Sequence, residues 1–294
     1  MTVRTALAEG TGALERSMPG SPFLDAVLLL GLAMNTDKAR LLSSMPDDVD
    51  PGAFAAYRRF IERRASGESV AYILGFKEFY GRRYAVDPRV LVPRPDTELL
   101  VEVALSLLPP HGSIAGAPTG GNGTPRLRCH DACTGSGCVG ISIAAERPDV
   151  EVSLSDISPD ALELARANAR SILGRELSAS IGDLLAGAAG VFDLIVANPP
   201  YVTAALAGEI GMAGGREPAG ALDGGIHGLD LYPALTAQAW EKLRNGGALA
   251  VEIGEEQGPR VAAMFEAAGF EGVTIRVDLS GSDRVVAGGK HAER

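Results

Sequence analysis

Leu127-Arg128-Cys129-His130-Asp131-Ala132-Cys133-Thr134-Gly135-Ser136-Gly137-Cys138-Val139-Gly140 decides the architecture of this chain. Its first residues favour a strand. The glycines that follow let the backbone turn sharply and approach a ligand closely. An apolar helix is predicted next, at 137–147. From here to the end the pattern alternates, with strands predicted at 127–132, 150–156, 177–182, 191–197, 247–253, 272–279 and 283–288. Further helices are predicted at 158–173, 229–244 and 256–268. Alternating strands and helices imply βαβ units, a parallel sheet and right-handed crossovers. No helix separates the last two strands, so they are expected to pair as a hairpin and make one edge antiparallel.

The fourth strand, Val191-Phe192-Asp193-Leu194-Ile195-Val196-Ala197, runs into Asn198-Pro199-Pro200-Tyr201. Two prolines after a strand stop the ladder and lock φ. The residue before a proline is pushed to extended geometry, which holds Asn198 away from helix. The outcome is a rigid ledge at a carboxyl strand end, where open α/β sheets place their ligands. A proline pair alone would be only a polar loop, so chemistry at the ledge depends on what the rest of the chain supplies.

Ahead of the alternating region, residues 1 to 70 read as helical. One helix is predicted over Pro22–Met34, and Asn35-Thr36-Asp37 can end it and cap the next. Asp50-Pro51 is a start signal, a cap residue followed by proline at the first helical position. Phe54, Tyr57, Phe60 and Ile61 then recur at helical spacing up to Gly67. Between 70 and 92 the runs become short and β-favouring, broken by Gly75, Gly81 and Asp87-Pro88, which predicts a hairpin connector. Arg94-Pro95-Asp96-Thr97-Glu98 opens an amphipathic helix ending at Pro109-Pro110. The following 111–126 stretch, rich in Gly, Pro, Ser and Thr, reads as an expanded loop.

Hydrophobic content of 46% and charged content of 22% suit a soluble globular protein. The net charge of −10 argues against binding dominated by nucleic-acid phosphates. Arg58, Arg59, Arg63, Arg64, Lys77, Arg82 and Arg83 are the one possible basic patch, although solvated faces explain them more simply. The start of the chain lacks a signal-peptide core, and the longest apolar run, 26–34, is too short to span a bilayer. A cytoplasmic protein without a membrane partner is expected. Cys129, Cys133 and Cys138 have no partner at zinc spacing, so small buried roles are favoured over a metal.

The glycine loop also satisfies G-x-G-x-x-G through Gly135, Gly137 and Gly140, with Asp156 about 20 residues on. That keeps a nicotinamide-dependent dehydrogenase open. Asp131, which opens the loop, and Gly182-Asp183, after the third strand, point elsewhere. An acid after each of the first three strands suits a ligand lying across them, with Asp156 on a ribose diol and Asp183 near an adenine amino group. Helix capping before Ser158-Pro159 remains the plain alternative for Asp156. In order and spacing the chain resembles S-adenosylmethionine-dependent methyltransferases, whose [N/D/S]-P-P-[Y/F/W] ledge methylates a planar –NH₂ nitrogen. Such a nitrogen has a delocalised lone pair. Hydrogen bonds to the Asn198 oxygen and the Pro199 carbonyl would make it pyramidal, and Tyr201 would hold its plane.

The ledge alone does not separate adenine, cytosine, guanine or a glutamine amide. The segments GESVAYILGFKEFYG (67–81), VLVPRPDTELL (90–100), DACTGSG, NPPY and EPAGALDGG resemble the peptide-chain release factor glutamine methyltransferase family. That resemblance implies a helical substrate-docking domain at 1–70, a β-hairpin linker at 71–93 and a seven-stranded Rossmann-like methyltransferase domain at 94–294. It implies S-adenosylmethionine contacts from Cys133, Thr134, Gly135, Ser136, Gly137, Asp156, Asp183 and Asn198. It implies that Asn198, Pro199, Pro200 and Tyr201 form the catalytic grip on the glutamine of a class 1 release factor, with no metal and no stably bound nucleic acid. Three departures stand out. Cys133 takes a position where glycine is common, which a small side chain should tolerate. Arg128 and His130 occupy a normally apolar strand, His130 being expected as a hydrogen-bonded strand-end residue. His227 stands where relatives often have Asp. The alternatives are a DNA or RNA amino-methyltransferase, which charge disfavours, and a non-catalytic cofactor-binding docking module, which would not need Asn198.

Overall fold

The computed structural model describes residues 1–17, 21–110, 126–212 and 216–291. The chain divides into two units, Met1–Lys77 with Glu209–Arg216, and Glu78–Gly208 with Glu217–Arg294.

The first unit is helical: α1 (Val3–Glu15), α2 (Pro22–Ala33), α3 (Lys38–Ser43), α4 (Pro51–Ala65) and α5 (Val70–Leu74). Its start signals work as their chemistry requires. Asp37 accepts from Arg40 N at 2.8 Å and caps α3. Asp50 accepts from Gly52 N and Ala53 N, with Pro51 opening α4. Leu7, Leu14, Leu29, Leu30, Tyr57 and Ile61 form the core. The β-favouring run at 70–74 is a correction. Ser69 caps Ala71 N and Gly75 ends the turn at φ 79°, so these residues form a short helix. Two local caps outweigh a weak strand propensity there.

β1 (Phe76–Phe79) and β2 (Arg82–Ala85) form the expected hairpin. Four of the arginines around it and along α4 face acids. Arg63 pairs with Glu68, Arg64 with Asp25, Arg82 with Glu146 and Arg83 with Glu78.

The second unit continues with a 3-10 turn (Pro95–Thr97), α6 (Glu98–Leu107), β3 (Leu127–Ala132), α7 (Cys138–Glu146), β4 (Val150–Asp156), α8 (Pro159–Leu173), β5 (Ser178–Ile181) and β6 (Phe192–Ala197). There follow α9 (Ala204–Met212), α10 (Tyr232–Lys242), β7 (Leu243–Glu252), α11 (Gly258–Ala267), β8 (Glu271–Val277) and β9 (Asp283–Gly289). Seven strands make one sheet in the order β5-β4-β3-β6-β7-β9-β8. β3 to β7 are parallel, and β9 is antiparallel to both β7 and β8. The strand order reverses between β3 and β6, which is where the glycine loop and the ledge emerge.

Strand β6 shows why the sheet is legible. Leu194 and Val196 pack in one cluster with residues of α6, α7 and α8, while Phe192, Ile195 and Ala197 pack in another with α10 and α11. Both faces are covered, so the run is apolar throughout rather than alternating. α9 and the early start of β7 depart from the sequence expectation. β7 begins at Leu243 because a register shift accommodates Arg244-Asn245-Gly246 against β6, with Gly246 at φ 82°. Arg244 is held there by Asp193 at 2.9 Å.

Asn168 on α8 ties the sheet unit together from within. Its Oδ1 accepts from Ala85 N at 2.8 Å, and its Nδ2 donates to the carbonyls of Ala85 at 3.1 Å and Ser136 at 2.8 Å. Asn168→Ala should destabilise by about 1–3 kcal/mol, because the buried Ser136 carbonyl and the Ala85 backbone groups lose their partner. Urea denaturation checks this, and a loss below about 0.5 kcal/mol would refute the role.

Candidate active site

The carboxyl ends of β3, β4, β5 and β6 surround a cavity of about 380 Å³. Its lining includes Cys133, Thr134, Gly135, Ser136, Asp131, Asp156, Asp183, Asn198 and Pro200. Gly137, Pro199 and Tyr201 are not among the residues that line it. Gly137 instead opens α7 at φ 82°. The Tyr201 ring packs beside the second core cluster, and its hydroxyl donates to Glu252 Oε1 at 3.2 Å.

The glycine loop is wound around one buried acid. Asp131 Oδ2 accepts from Thr134 Oγ1 at 2.6 Å and from Gly140 N at 2.9 Å. Burial is the main force raising the Asp131 pKa, to about 7, against those two hydrogen bonds. A Cβ on Gly140 would fall 2.5 Å from Leu154 Cδ2, so the third glycine lets helix and strand approach. This geometry satisfies the third position of G-x-G-x-x-G without any nicotinamide.

Asp156 is no helix cap. Ser158 caps α8 by accepting from Ala161 N. Asp156 instead joins the two loops, with Oδ2 accepting from Gly135 N and Oδ1 from Ser158 N, both at 2.9 Å. Desolvation raises its pKa, and the backbone donors counter this. Asp183 is exposed and lines the cavity on the β5 side.

Cys133 has φ 55°, the left-handed region. A non-glycine residue there costs on the order of 1 kcal/mol. Glycine is at ease in this conformation, which gives a physical reason for its frequency at the position. Burial, with Asp156 nearby, pushes the thiol pKa far up, so it is no nucleophile.

His130 is a hydrogen-bonded residue of the strand, as expected. Nδ1 lies 2.8 Å from Ser153 Oγ and Nε2 2.9 Å from Ser155 Oγ. Burial lowers its pKa to about 4, so the ring is neutral. Ser155 spends its proton on the Leu184 carbonyl, so His130 Nε2 carries the hydrogen toward Ser155. Arg128 lies over the Phe192 ring at 5.0 Å and donates to the carbonyls of Val191 and Ala189. His227 is exposed and outside the cavity lining. The 111–125 part of the expanded loop lies outside the described residues.

The remaining segments singled out in the second unit converge here. Glu217 accepts from Val92 N at 3.1 Å and from Arg94 Nη2 at 2.6 Å, joining VLVPRPDTE to EPAGALDGG. Val202 and Leu222-Asp223-Gly224 exchange backbone hydrogen bonds. Gln257 Nε2 donates to the carbonyls of Tyr201 and Gly228. Sequence reasoning missed Ile157, Leu184, Thr97 and Glu252. Ile157 is 69% exposed at the cavity, an apolar group following the β4 acid.

With this geometry in hand, the relatives are informative. Residues 5–75 match the family model described as PrmC N-terminal domain, and residues 124–211 match the Methyltransferase small domain. The solved structure of a methyltransferase from Pyrococcus furiosus superposes with a TM-score of 0.52 at 15% identity. The match covers 79% of this chain and 99% of that one, a likeness of fold. Sheet order, glycine loop and domain match define the class, a methyltransferase domain. The chain is 39% identical over 288 residues to the release factor glutamine methyltransferase of Moorella thermoacetica, with 97% of each covered. It is 37% identical over 293 residues to that of Koribacter versatilis, with 99% of each covered. The chain belongs to the release factor glutamine methyltransferase family.

Gly224 packs directly against the ledge. A Cβ there would stand 2.5 Å from Pro200 O and 2.9 Å from Tyr201 Cα. Gly224→Ala should displace the ledge and lower methyl transfer at least about tenfold, the scale of a catalytic misplacement near 1 Å. Steady-state kinetics checks this, with undiminished turnover as the contrary result.

Proposed function

We propose that this protein transfers a methyl group from S-adenosylmethionine to the side-chain amide nitrogen of the glutamine in the Gly-Gly-Gln loop of class 1 peptide-chain release factors. One observation carries the assignment: VLVPRPDTE, DACTGSG, NPPY and EPAGALDGG all contribute to the lining of a single cavity, with Asp156 and Asn198 both in its wall.

The residues fit the cofactor. Each Asp156 oxygen takes one backbone N–H, which leaves lone pairs for a ribose diol. Asp183 supplies an exposed acceptor for an adenine amino group, and Ile157 and Leu184 offer apolar surface to a purine ring. Cys133, Thr134, Gly135, Ser136 and Asn198, which line the cavity, complete the set. When bound, the cofactor supplies an electrophilic methyl on a sulfonium. The protein then has to position and partly desolvate the amide nitrogen rather than deprotonate it strongly. Asn198 Oδ1 and the Pro199 carbonyl accept its two N–H groups. Pro200 closes the wall, and Tyr201 holds the ledge from behind through Glu252. We assign release-factor docking to residues 1–70 and the 71–93 connector, and catalysis to 94–294. The acidic chain and the paired arginines favour a protein substrate in the cytoplasm over a nucleic acid.

Incubation with labelled S-adenosylmethionine and either a release factor or unmethylated DNA, followed by mass spectrometry, should place label on the glutamine. Label on adenine alone would overturn the assignment. Asn198→Ala should lower transfer at least about 100-fold while cofactor still binds, since the grip on the amide nitrogen is lost and the glycine-loop and Asp156 contacts remain. Full activity would remove Asn198 from the mechanism. Asp156→Ala should weaken cofactor binding by about 10–100-fold in calorimetry, the worth of hydrogen bonds to a charged group. Unchanged affinity would leave Asp156 a loop tie only.

A further inference from the structure

The far end of the ledge is held by a side chain that neither the cofactor nor the substrate assignment uses. Gln257 is half-buried and stands immediately before α11, whose first turn fixes its backbone, with Val261 N donating to Gln257 O at 3.0 Å. Its own N–H donates to the Gly254 carbonyl at 3.0 Å, closing the turn between β7 and the helix. The side-chain amide then makes three hydrogen bonds at once. Oε1 accepts from Gly254 N at 2.9 Å, and Nε2 donates to the carbonyls of Tyr201 at 3.0 Å and Gly228 at 3.1 Å.

The chemistry of these partners allows one orientation. A backbone N–H can only donate and a carbonyl can only accept, so Oε1 faces Gly254 and each hydrogen of Nε2 faces a carbonyl. Glycines leave room for the amide. A Cβ on Gly228, which has φ 67°, would collide with the Tyr201 carbonyl oxygen and stand 2.7 Å from Gln257 Nε2. A Cβ on Gly254 would stand 3.2 Å from Oε1.

The Tyr201 carbonyl closes the ledge. The two prolines lock φ at 199 and 200, but the peptide that follows Tyr201 has no such lock. Beyond it, Val202 N donates to Leu222 O at 3.0 Å and Gly224 N to Val202 O at 2.8 Å, which fastens the chain to the 222–230 loop. Gly228 belongs to that loop. Gln257 therefore ties the ledge end, and the loop packed against it, to one helix start. Resting on the reading of Asn198 and the Pro199 carbonyl as the grip on the substrate amide, the geometry points to Gln257 as a positioning residue for methyl transfer. It fixes the Tyr201 peptide and, through the stiff Pro199-Pro200 pair, the direction in which the grip faces. Gln257 is not among the residues that line the cavity, so it acts through the ledge.

The test measures kcat, KM for the release factor and S-adenosylmethionine affinity for the full chain and four variants, well below each melting temperature. Gln257→Glu keeps the shape and the acceptor for Gly254 N but turns an oxygen toward both carbonyls. It is expected to lower kcat about 10–100-fold, the scale of a misplacement near 1 Å, with KM and cofactor affinity within about threefold. Gln257→Met, similar in length and without a donor, is expected to show the same split. Gly228→Ala forces the same amide and carbonyl apart and is expected to slow kcat to a similar degree. The double variant of Gly228→Ala with Gln257→Glu is expected to stay within about threefold of the slower single one, because both break one contact. Unchanged kcat in Gln257→Glu, a loss confined to KM or to cofactor affinity, or losses that multiply in the double variant overturn the proposal. Should Gly228→Ala fail to fold by thermal melting, the two Gln257 variants decide alone. Failure of the underlying reading is separately visible, since wild type would then leave the glutamine unlabelled or Asn198→Ala would retain transfer.

Discussion

A carboxylate taken out of water must collect donors, and two such groups organise the carboxyl edge of this sheet. Asp131 lies one residue from the end of β3 and Glu252 ends β7, each only 1% exposed. Asp131 draws the Thr134 hydroxyl and the Gly140 N–H onto one oxygen, which folds the glycine loop back over its own strand. Glu252 draws in Tyr201, which fixes the far side of the ledge. Asn198, tied to Thr97, stands between them at the end of β6, and Asp156, tied to Gly135, lies on the other side of Asp131 at the end of β4. The wall that would hold a ligand is thus set by acids behind it, whose demand for donors shapes backbone that the apolar core alone would leave free.

The same logic explains why segments far apart in the chain recur together. Glu217 holds both a backbone N–H and a guanidinium of the VLVPRPDTE stretch. Gly224 of EPAGALDGG admits the ledge backbone at distances no side chain would allow. Gln257, just before α11, binds Tyr201 O and Gly228 O at once. Each segment satisfies backbone or charge on another, so a change in one leaves buried polar groups unmatched in its neighbour.

The centre of the sheet was legible because β6 and the second half of β7 are buried and stand out as apolar runs. The short helix at 70–74 was not, because it rests on Ser69 and Gly75 caps whose effect is local and small beside the apparent strand propensity. The early part of β7 was hidden by Asn245-Gly246-Gly247, a turn signal used here as a register shift. At the site, Asp156 and the glycine loop were readable from their place after consecutive strands. Thr97 resembled an ordinary helix-opening residue, and Glu252 an ordinary strand terminus. A signal for Glu252 was present: it is a charge set inside the apolar run Leu249-Ala250-Val251-Glu252-Ile253, where only a partnered or functional acid belongs. Tyr201 shows the limit of motif reading. Its ring belongs to the ledge in sequence, yet its hydroxyl is committed to Glu252 rather than to the cavity.

Holding acids this way has a thermodynamic sign. The folded pKa values of Asp131 and Glu252 lie above their ordinary values, with burial the first cause in both. Native protein therefore binds protons more readily than unfolded chain between the unfolded values and about 7. Their contribution to stability is fully present below the unfolded values and is lost as pH rises toward and through 7. That is opposite to the usual surface carboxylate, whose pKa is depressed by its partners. The ionised forms of both acids are thus the less stable forms of the protein. The cost falls at the strand ends, where the sheet is already pinned by two covered faces and a continuous ladder. A carboxylate of this kind is tolerable there, and on an isolated loop it would simply protonate or swing into solvent.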